Sequence, residues 1–556
     1  MISRGPHPLL GLLRVALACL AANSGAAQAQ QAQQAQQAAP TLPSFAELEA
    51  RGARIGSIRV LARDIFDTDT PEENYALFRL ANQLHIQTRA SVIERALLFK
   101  SGEAFSVRAL EETERLLRSN RYLNDVQFRV AAVREDTVDI DVVTRDTWSL
   151  EPGFSAGRSG GTNSSGIGLK EHNLLGTGVS FSLGRSKNVD RQSTEFGISN
   201  DRAFGTFTNL AASYAESSDG RRSALAVVRP FYELDARWAA GASALRDSRI
   251  DAIYNASLVT GQYRHREQQG EVFAGLSAGL VQGWVRRWSL GLSVRDDRYA
   301  AEPGLAAPAA LPADQRLVAP FVRLELIEER YLKLRNRNLV GKPEFFALGF
   351  SSTLQLGWAG TGLGSTRETL LYAASASRGF EPAPAQTLLL SGSISGQWVN
   401  GAVQRQRIGA QLRWFVPQDA RWVFFASASG DTLTRPAVTA SLLLGGDNGL
   451  RGYPLRYQSG LHRALFVAEE RYYTDLYVWR LFRLGAAAFA DVGRAWGGAY
   501  ANPVNPGWLT DLGLGLRILN DRSAFSNVLH IDLAFPLNPT ADIRKVQLLV
   551  KTKLSF

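Results

Sequence analysis

From residue 148 to residue 556 the chain alternates apolar and polar side chains in segments of about ten residues, and no helical stripe interrupts the pattern. Trp288, Leu290, Leu292 and Val294 share one face, against Ser289, Gly291, Ser293 and Arg295. Leu388, Leu390, Gly392, Ile394, Gly396 and Trp398 oppose Thr387, Leu389, Ser391, Ser393, Ser395 and Gln397. The last segment sets Val546, Leu548, Val550, Thr552, Leu554 and Phe556 against Gln547, Leu549, Lys551, Lys553 and Ser555. Successive side chains of a strand point to opposite faces, so each segment presents one apolar wall and one polar or small one. A soluble sandwich alternates too. A run this long with no second core pattern, its apolar faces bracketed by Trp and Tyr, fits strands that cross a bilayer. The expectation is an all-β transmembrane barrel of about 16 antiparallel strands. The mean hydropathy of -0.12 does not oppose it, because lumen-facing residues dilute the lipid-facing ones.

The chain opens like an exported one. Arg4 and His7 precede an apolar stretch from Leu9 to Ala22, broken by Arg14, and Ala27-Gln28-Ala29 offers a small-x-small cleavage site. Residues 1–29 therefore read as a signal peptide, too short and too charged for a membrane anchor. The single cysteine, Cys19, falls inside it, so the mature chain is expected to hold no disulfide and no thiol chemistry. Residues 30–52 form a Gln/Ala/Pro-rich linker with a short helix near Ser44–Arg51.

Residues 53–147 read as a small α+β domain in the order strand, helix, helix, strand, strand. Ile58 and Val60 mark the first strand. Ser91–Lys100 carries Val92, Ile93, Ala96 and Leu97 on one helical face. Ser106 can cap a second helix that buries Leu110, Thr113 and Leu117 and pairs Glu111 with Arg115 and Glu114 with Arg118. Asn120 suits a left-handed stop. Val126, Phe128 and Val130, then Val138, Ile140 and Val142, mark two strands turning at Glu135 and Asp136.

The net charge is +10, and without Arg4 and Arg14 the chain has 60 basic against 52 acidic residues. The arginines are spread along the chain, whereas a nucleic-acid protein concentrates them in a patch. No nucleic-acid partner is expected, and an arginine-rich lumen accounts for the charge.

No enzyme emerges. Gly153–Gly157 and Gly275–Gly279 both match Gly-x-Ser-x-Gly around Ser155 and Ser277, but both lie in alternating segments without the following helix a hydrolase elbow needs. His85, His172, His265, His462 and His530 have no metal-ligand spacing to another His or Cys. No cofactor or metal is expected.

Gly430–Arg463 is too long for a hairpin turn. It contains Gly445-Gly446-Asp447-Asn448-Gly449-Leu450-Arg451-Gly452-Tyr453-Pro454. Glycines there allow close approach to a wall, and Arg451 suits a buried carboxylate contact. An exposed Gly-rich loop with a solvated arginine fits the composition equally well.

Leu450-Arg451-Gly452-Tyr453 resembles the (Val/Leu)-Arg-Gly-(Phe/Tyr) motif of the BamA/TamA outer-membrane assembly superfamily. The resemblance implies a loop, here 430–463, folded into the lumen with Arg451 docked on acids of the inner wall. Phe489-Ala490-Asp491-Val492-Gly493 is similar to the family's Phe-x-Asp-x-Gly wall motif, and strand parity puts Phe489, Asp491 and Gly493 on one face. Glu469-Glu470-Arg471 resembles its Glu-x-Arg strand, which offers Glu469 as second acid, with Glu470 as the alternative. Gly168–Gly176 resembles the first barrel hairpin, Phe556 the end of the terminal β-signal, and residues 53–147 a single POTRA domain. Members of the superfamily that are general assembly factors carry several POTRA domains, so one implies a specialised or accessory role. The implied function is insertion of outer-membrane proteins or translocation of unfolded clients. The implied partners are outer-membrane lipid, the client and accessory periplasmic proteins. A surface barrel serving as adhesin or receptor is the alternative.

Overall fold

The structure is a computed structural model and describes residues 42–498, 506–522, 528–541 and 543–553. The expected signal peptide, the first part of the linker and Phe556 lie outside the described residues.

Among the described residues, twenty strands close into one antiparallel barrel, from Leu150–Ser159 through to Gln547–Lys553, which returns beside the first. The expected count of about 16 is therefore corrected. Strand length varies from the 7 residues of Gln547–Lys553 to the 24 of Leu258–Val281. Some turns are only two residues long. Val399 and Ala402 are paired across Asn400-Gly401, which both take left-handed φ, 50° and 75°. That is the turn a twisted two-residue hairpin demands. Where turns are so short, little of the chain goes into loops, and more strands fit than ten residues plus loops suggests.

The faces follow the alternation. Trp288 and Leu290 are 50% and 66% exposed on the outside, while Ser289 between them is buried. Trp284, Trp358, Trp398 and Trp422 are exposed on the same outer surface. A short hairpin, Tyr331–Arg335 with Pro343–Ala347, stands outside the barrel ladder. Its Phe346 joins Val340, Leu348, Phe415, Phe425, Tyr473 and Leu519 in an apolar cluster.

Ahead of the barrel, a three-stranded sheet has the order β1-β3-β2, formed by β1 (Arg54–Arg63), β2 (Leu123–Arg134) and β3 (Thr137–Asp146). The helices are α1 (Phe45–Ala50), α2 (Ala76–Leu84), α3 (Ala90–Glu94) and α4 (Val107–Arg118). The expected helix over Ser91–Lys100 is shorter than the sequence suggested, and α2 was not anticipated, because its leucines do not face the core. In α4 the expected stripe of Leu110, Thr113 and Leu117 is buried. Its end differs from expectation. Asn120 is not left-handed but donates from Nδ2 to the Leu116 and Leu117 carbonyls, capping the helix by side chain. Glu114 pairs with Arg118 at 2.8 Å, whereas Arg115 leaves Glu111 and lies over the Tyr331 ring, 4.3 Å from its centroid.

The chain divides into two compact units. The smaller comprises the described residues up to Arg59 together with 100–107 and 129–141. In it, Ser44 and Glu47 form a reciprocal capping box on α1, and Glu49 accepts from the Val107 N–H. Ser57 donates to Asp139, and Arg59 forks onto Asp141.

The larger unit holds residues 60–99, 108–128 and everything from 142 onward. Asp146, fully buried, accepts from the Thr88 N–H and hydroxyl at 2.7 and 2.9 Å and lies 2.9 Å from His85 Nε2. Thr88 in turn accepts from Asn173 in the second connection between barrel strands. Helix α4 makes a second set of ties to the barrel. Arg108 meets Asp235 at 2.5 Å, Glu112 accepts from the Leu234 N–H at 2.8 Å, and Glu114 meets Lys333 at 2.8 Å. The following Asn120–Tyr122 line a lumen cavity of about 1160 Å³, along with Arg222, Glu271 and Arg295.

Candidate functional site

The site is built by the longest connection on its rim. The sequence suggests a loop over Gly430–Arg463, but pairing continues to Thr434 and resumes at His462, so the loop proper is 435–461. Within it Leu442–Leu444 pairs with Gln458–Gly460, a small hairpin that stiffens the base.

The tip is a tight turn held by Asn448. Its Oδ1 accepts from the Gly445 N–H at 2.7 Å and its Nδ2 donates to the Leu443 carbonyl at 2.7 Å. Leu450 and Tyr453 are fully buried with Leu444, Tyr457, Ala495 and Leu509. The tip is thereby folded into the lumen, not exposed. Tyr453 Oη donates to the Thr510 carbonyl at 3.0 Å.

Arg451 projects from this tip. Its Nε and Nη2 donate to Oδ2 and Oδ1 of Asp491, both at 2.7 Å, a parallel two-point fork. Nη1 donates to Glu469 Oε1 at 2.8 Å. The guanidinium lies over the Phe489 ring, 3.4 Å from the centroid, where the negative face of the ring adds attraction. Phe489 and Asp491 are buried on one face of the strand Phe482–Trp496, and Gly493 follows on that face. A side chain at Gly493 would crowd Leu444 of the loop, so the glycine is where the wall admits the loop. Gly452 likewise lies against Asp511, and its N–H donates to Asp511 Oδ2 at 2.9 Å. Leu450, Arg451, Gly452, Tyr453, Phe489, Asp491, Gly493 and Glu469 are thus all brought to one place. Glu470 faces the other way, where it accepts from Gln418.

The sequence marked Arg471 only as part of the Glu-x-Arg strand and did not mark Asp511, Asp532 or Arg517. Arg471 donates to Glu469 Oε2 at 2.9 Å, so Glu469 sits between two guanidiniums. Asp532 lies 3.9 Å from Arg451 and 2.5 Å from Arg517, which is fully buried. The available signal was parity, since Asp532 lies between Ile531 and Leu533, and Asp511 shares a face with Leu509 and Gly513 and alternates with Leu512 and Leu514. A charge there must point inward.

The barrel's closing seam lies beside this loop. Among the described residues the last strand meets the first at a single paired position, Val550 opposite Arg158. By contrast, Gln547–Lys553 pairs along its whole length with Val528–Ala534. The loop reaches both sides of the seam. The Leu455 N–H donates to the Gly160 carbonyl at 2.9 Å, and Ser159 donates to the Gly446 carbonyl at 2.5 Å. On the other side Lys551 Nζ donates to the Asp447 carbonyl at 2.7 Å. Gly160 allows this approach, since an added Cβ would lie 2.2 Å from Leu455 N.

Two other motifs resolve simply. Ser155 lies in a regular strand, and Ser277 sits at a β-bulge and donates to the Arg286 carbonyl. His265, Glu267 and Asp297 gather within 4.8 Å, a spacing that could hold a cation, but guanidiniums already occupy the space. Arg249 meets Glu267 at 3.2 Å, and Arg295 meets Asp297 at 2.7 Å.

No protein-family model matches the chain, and no curated protein matches it. Among solved structures, BamA from Haemophilus ducreyi lacking POTRA domains 1–3 is similar at 12% identity, over 90% of this chain and 84% of that one, with a TM-score of 0.39. CdiB from Acinetobacter baumannii is similar at 13% identity, over 90% and 73%, with a TM-score of 0.44. CdiB from Escherichia coli is similar at 14% identity, over 91% and 77%, with a TM-score of 0.46. Likeness at this level assigns no family.

Proposed function

We propose that this chain is an outer-membrane barrel of the BamA/TamA kind that inserts or translocates unfolded polypeptide clients, with residues 53–147 as one periplasmic POTRA domain. The observation that carries this reading is the seam. A barrel made only to be stable has no use for a junction that, among the described residues, pairs at one position, and an unpaired strand edge is a template for a client strand. The docked Arg451 supports it, because a buried, bidentate contact holds the loop in place while the seam beside it changes. In this reading the connections at 172–178 and 479–481 face the periplasm, and the loop 435–461 enters from the outside. Helix α4, tied to Asp235 and Lys333, belongs to a resting state and moves when a client enters.

The test locks the seam. In a C19S background, R158C with V550C places two thiols at facing positions of neighbouring strands, within reach of a disulfide. Oxidation is expected to abolish client assembly, and reductant to restore it. Full activity in the oxidised, cross-linked protein would sink the insertion reading. Quantitative proteomics of the outer membrane and medium after gene deletion names the client.

The tied rim also favours a second reading, a closed surface barrel that serves as adhesin or receptor and handles no client. Deleting residues 53–147 separates them. Activity is lost under the first reading, and surface display is unchanged under the second.

A further inference from the structure

Helix α2 carries an apolar stripe that, among the described residues, is left exposed. Leu77, Leu80 and Leu84, at i, i+3 and i+7, are 65%, 49% and 64% exposed. Tyr75 and Ile86 flank the helix and are exposed as well. The orientation is fixed by the adjoining face, so the leucines are held outward. Phe78 is buried and stacks on Phe66 at 3.9 Å, and Asn82 clamps the Phe66 backbone through both its amide oxygen and its nitrogen. Arg79 and Gln83 occupy the polar side.

The surroundings identify what covers the stripe. Ala81, Leu481 and Trp148, two residues before the first barrel strand, pack against the cluster of Ile65, Phe66 and Phe78. Leu481 belongs to the connection that also carries Trp479, 76% exposed. On the other side, Arg89 N–H donates to the Gly176 carbonyl and Asn173 donates to Thr88. That connection carries Leu174 and Leu175, both exposed, and leads into Ile167 and Leu169 on the barrel's outer face. The leucine stripe is thus held between two connections whose own apolar side chains extend the barrel's lipid-facing belt.

We propose that helix α2 lies in the periplasmic interface of the bilayer, its Leu77–Leu80–Leu84 stripe immersed among the lipid chains beneath the seam. A short amphipathic helix with one leucine face and one polar face suits that depth, and an exposed Trp at the same level is the usual interfacial anchor. Burial of three leucines would hold this part of the chain against the membrane at the place where the first and last strands meet. The inference rests on the barrel reading above.

The test uses the full chain in phospholipid vesicles, in a C19S background, with a nitroxide at one site at a time. L77C, L80C and L84C are expected to be severalfold more accessible to oxygen, which partitions into lipid, than to a water-soluble nickel chelate. R79C and Q83C are expected to show the reverse. I167C and L290C, on the barrel's outer face, check the barrel reading by itself, since water-accessible labels there would overturn that reading first. With those controls in lipid, nickel access at L80C and L84C equal to that at R79C would overturn the inference. Shielding of both labels from both reagents would overturn it too, and would point to a protein cover.

Discussion

Lys551 Nζ donates to the Asp447 carbonyl at 2.7 Å, so the last described strand is fastened to the same loop that holds the first strand through Gly160. The loop therefore bridges a seam that, among the described residues, pairs at a single position. A charged hydrogen bond of this kind is worth about 1.5–3 kcal/mol. Lys551→Met should loosen the seam while sparing the rest of the barrel. Amide exchange should accelerate in Leu150–Ser159 and Gln547–Lys553 but not in Trp284–Ala301. Unchanged exchange in both seam strands would show that the loop does not brace them.

Arg451→Ala leaves Glu469 and Asp491 buried without their shared cation. Removing one partner of such a cluster costs about 3–5 kcal/mol. The barrel should lose its compact gel mobility at a lower temperature than wild type. Arg451→Lys should fall between the two, because an ammonium cannot make the two-point fork onto Asp491. Glu469→Gln should destabilise and Glu470→Gln should not. Wild-type heat resistance in Arg451→Ala would refute the docking.

Gly160 and Gly161 both hold left-handed φ, at 55° and 81°, but only Gly160 touches the loop. Alanine strains the backbone at either place. At Gly160 it also meets Leu455, whereas at Gly161 it meets nothing within 4 Å. Gly160→Ala should cost about 1–3 kcal/mol more than Gly161→Ala, the usual range for overpacking. Equal melting of the two variants would mean that the loop yields freely.

Asp190 and Arg456 pair at 2.7 Å in two places and fasten the loop to the connection after Val179–Lys187. The hydrogen bonds from Arg456, ahead of the opposing effect of burial, hold the Asp190 carboxyl below its ordinary range. A depressed folded value means that the stabilisation is present above the unfolded value, near 3.9, and is lost as pH falls through the lower folded one. Wild type should release this contact only in acid below about pH 4, seen as faster proteolysis of 435–461. Asp190→Asn should show that faster cleavage already at neutral pH. A variant as resistant as wild type at pH 7 would count against the tether.

The large pattern was legible in the sequence because a closed barrel imposes a period of two on every strand. That Leu290 and Ser289 lie on opposite faces follows from parity alone, as does the shared face of Phe489, Asp491 and Gly493. The motif at Leu450–Tyr453 marked the loop, since glycines and an arginine in one turn are a local signal. Strand number was not legible, because turns as short as Asn400-Gly401 leave more of the chain to strands than ten residues plus loops allows for.

Tertiary structure alone decided the rest. Composition left Arg451 equally fit for water or for the wall, and only the fold brings it between Asp491 and Glu469, residues 40 and 18 positions away in the chain. Parity separated Glu469 from Glu470 but could not say which faces inward, since that depends on the strand's register with its neighbours. Helix α2 escaped notice for the converse reason. A pattern read for core packing assigns leucines to the inside, and Leu77, Leu80 and Leu84 are held outside by Phe78 and Asn82 on the adjoining face. The sequence by itself determined which side chains share a face, a local property of the backbone. Which face turns inward and which outward was set by contacts between residues far apart in the chain.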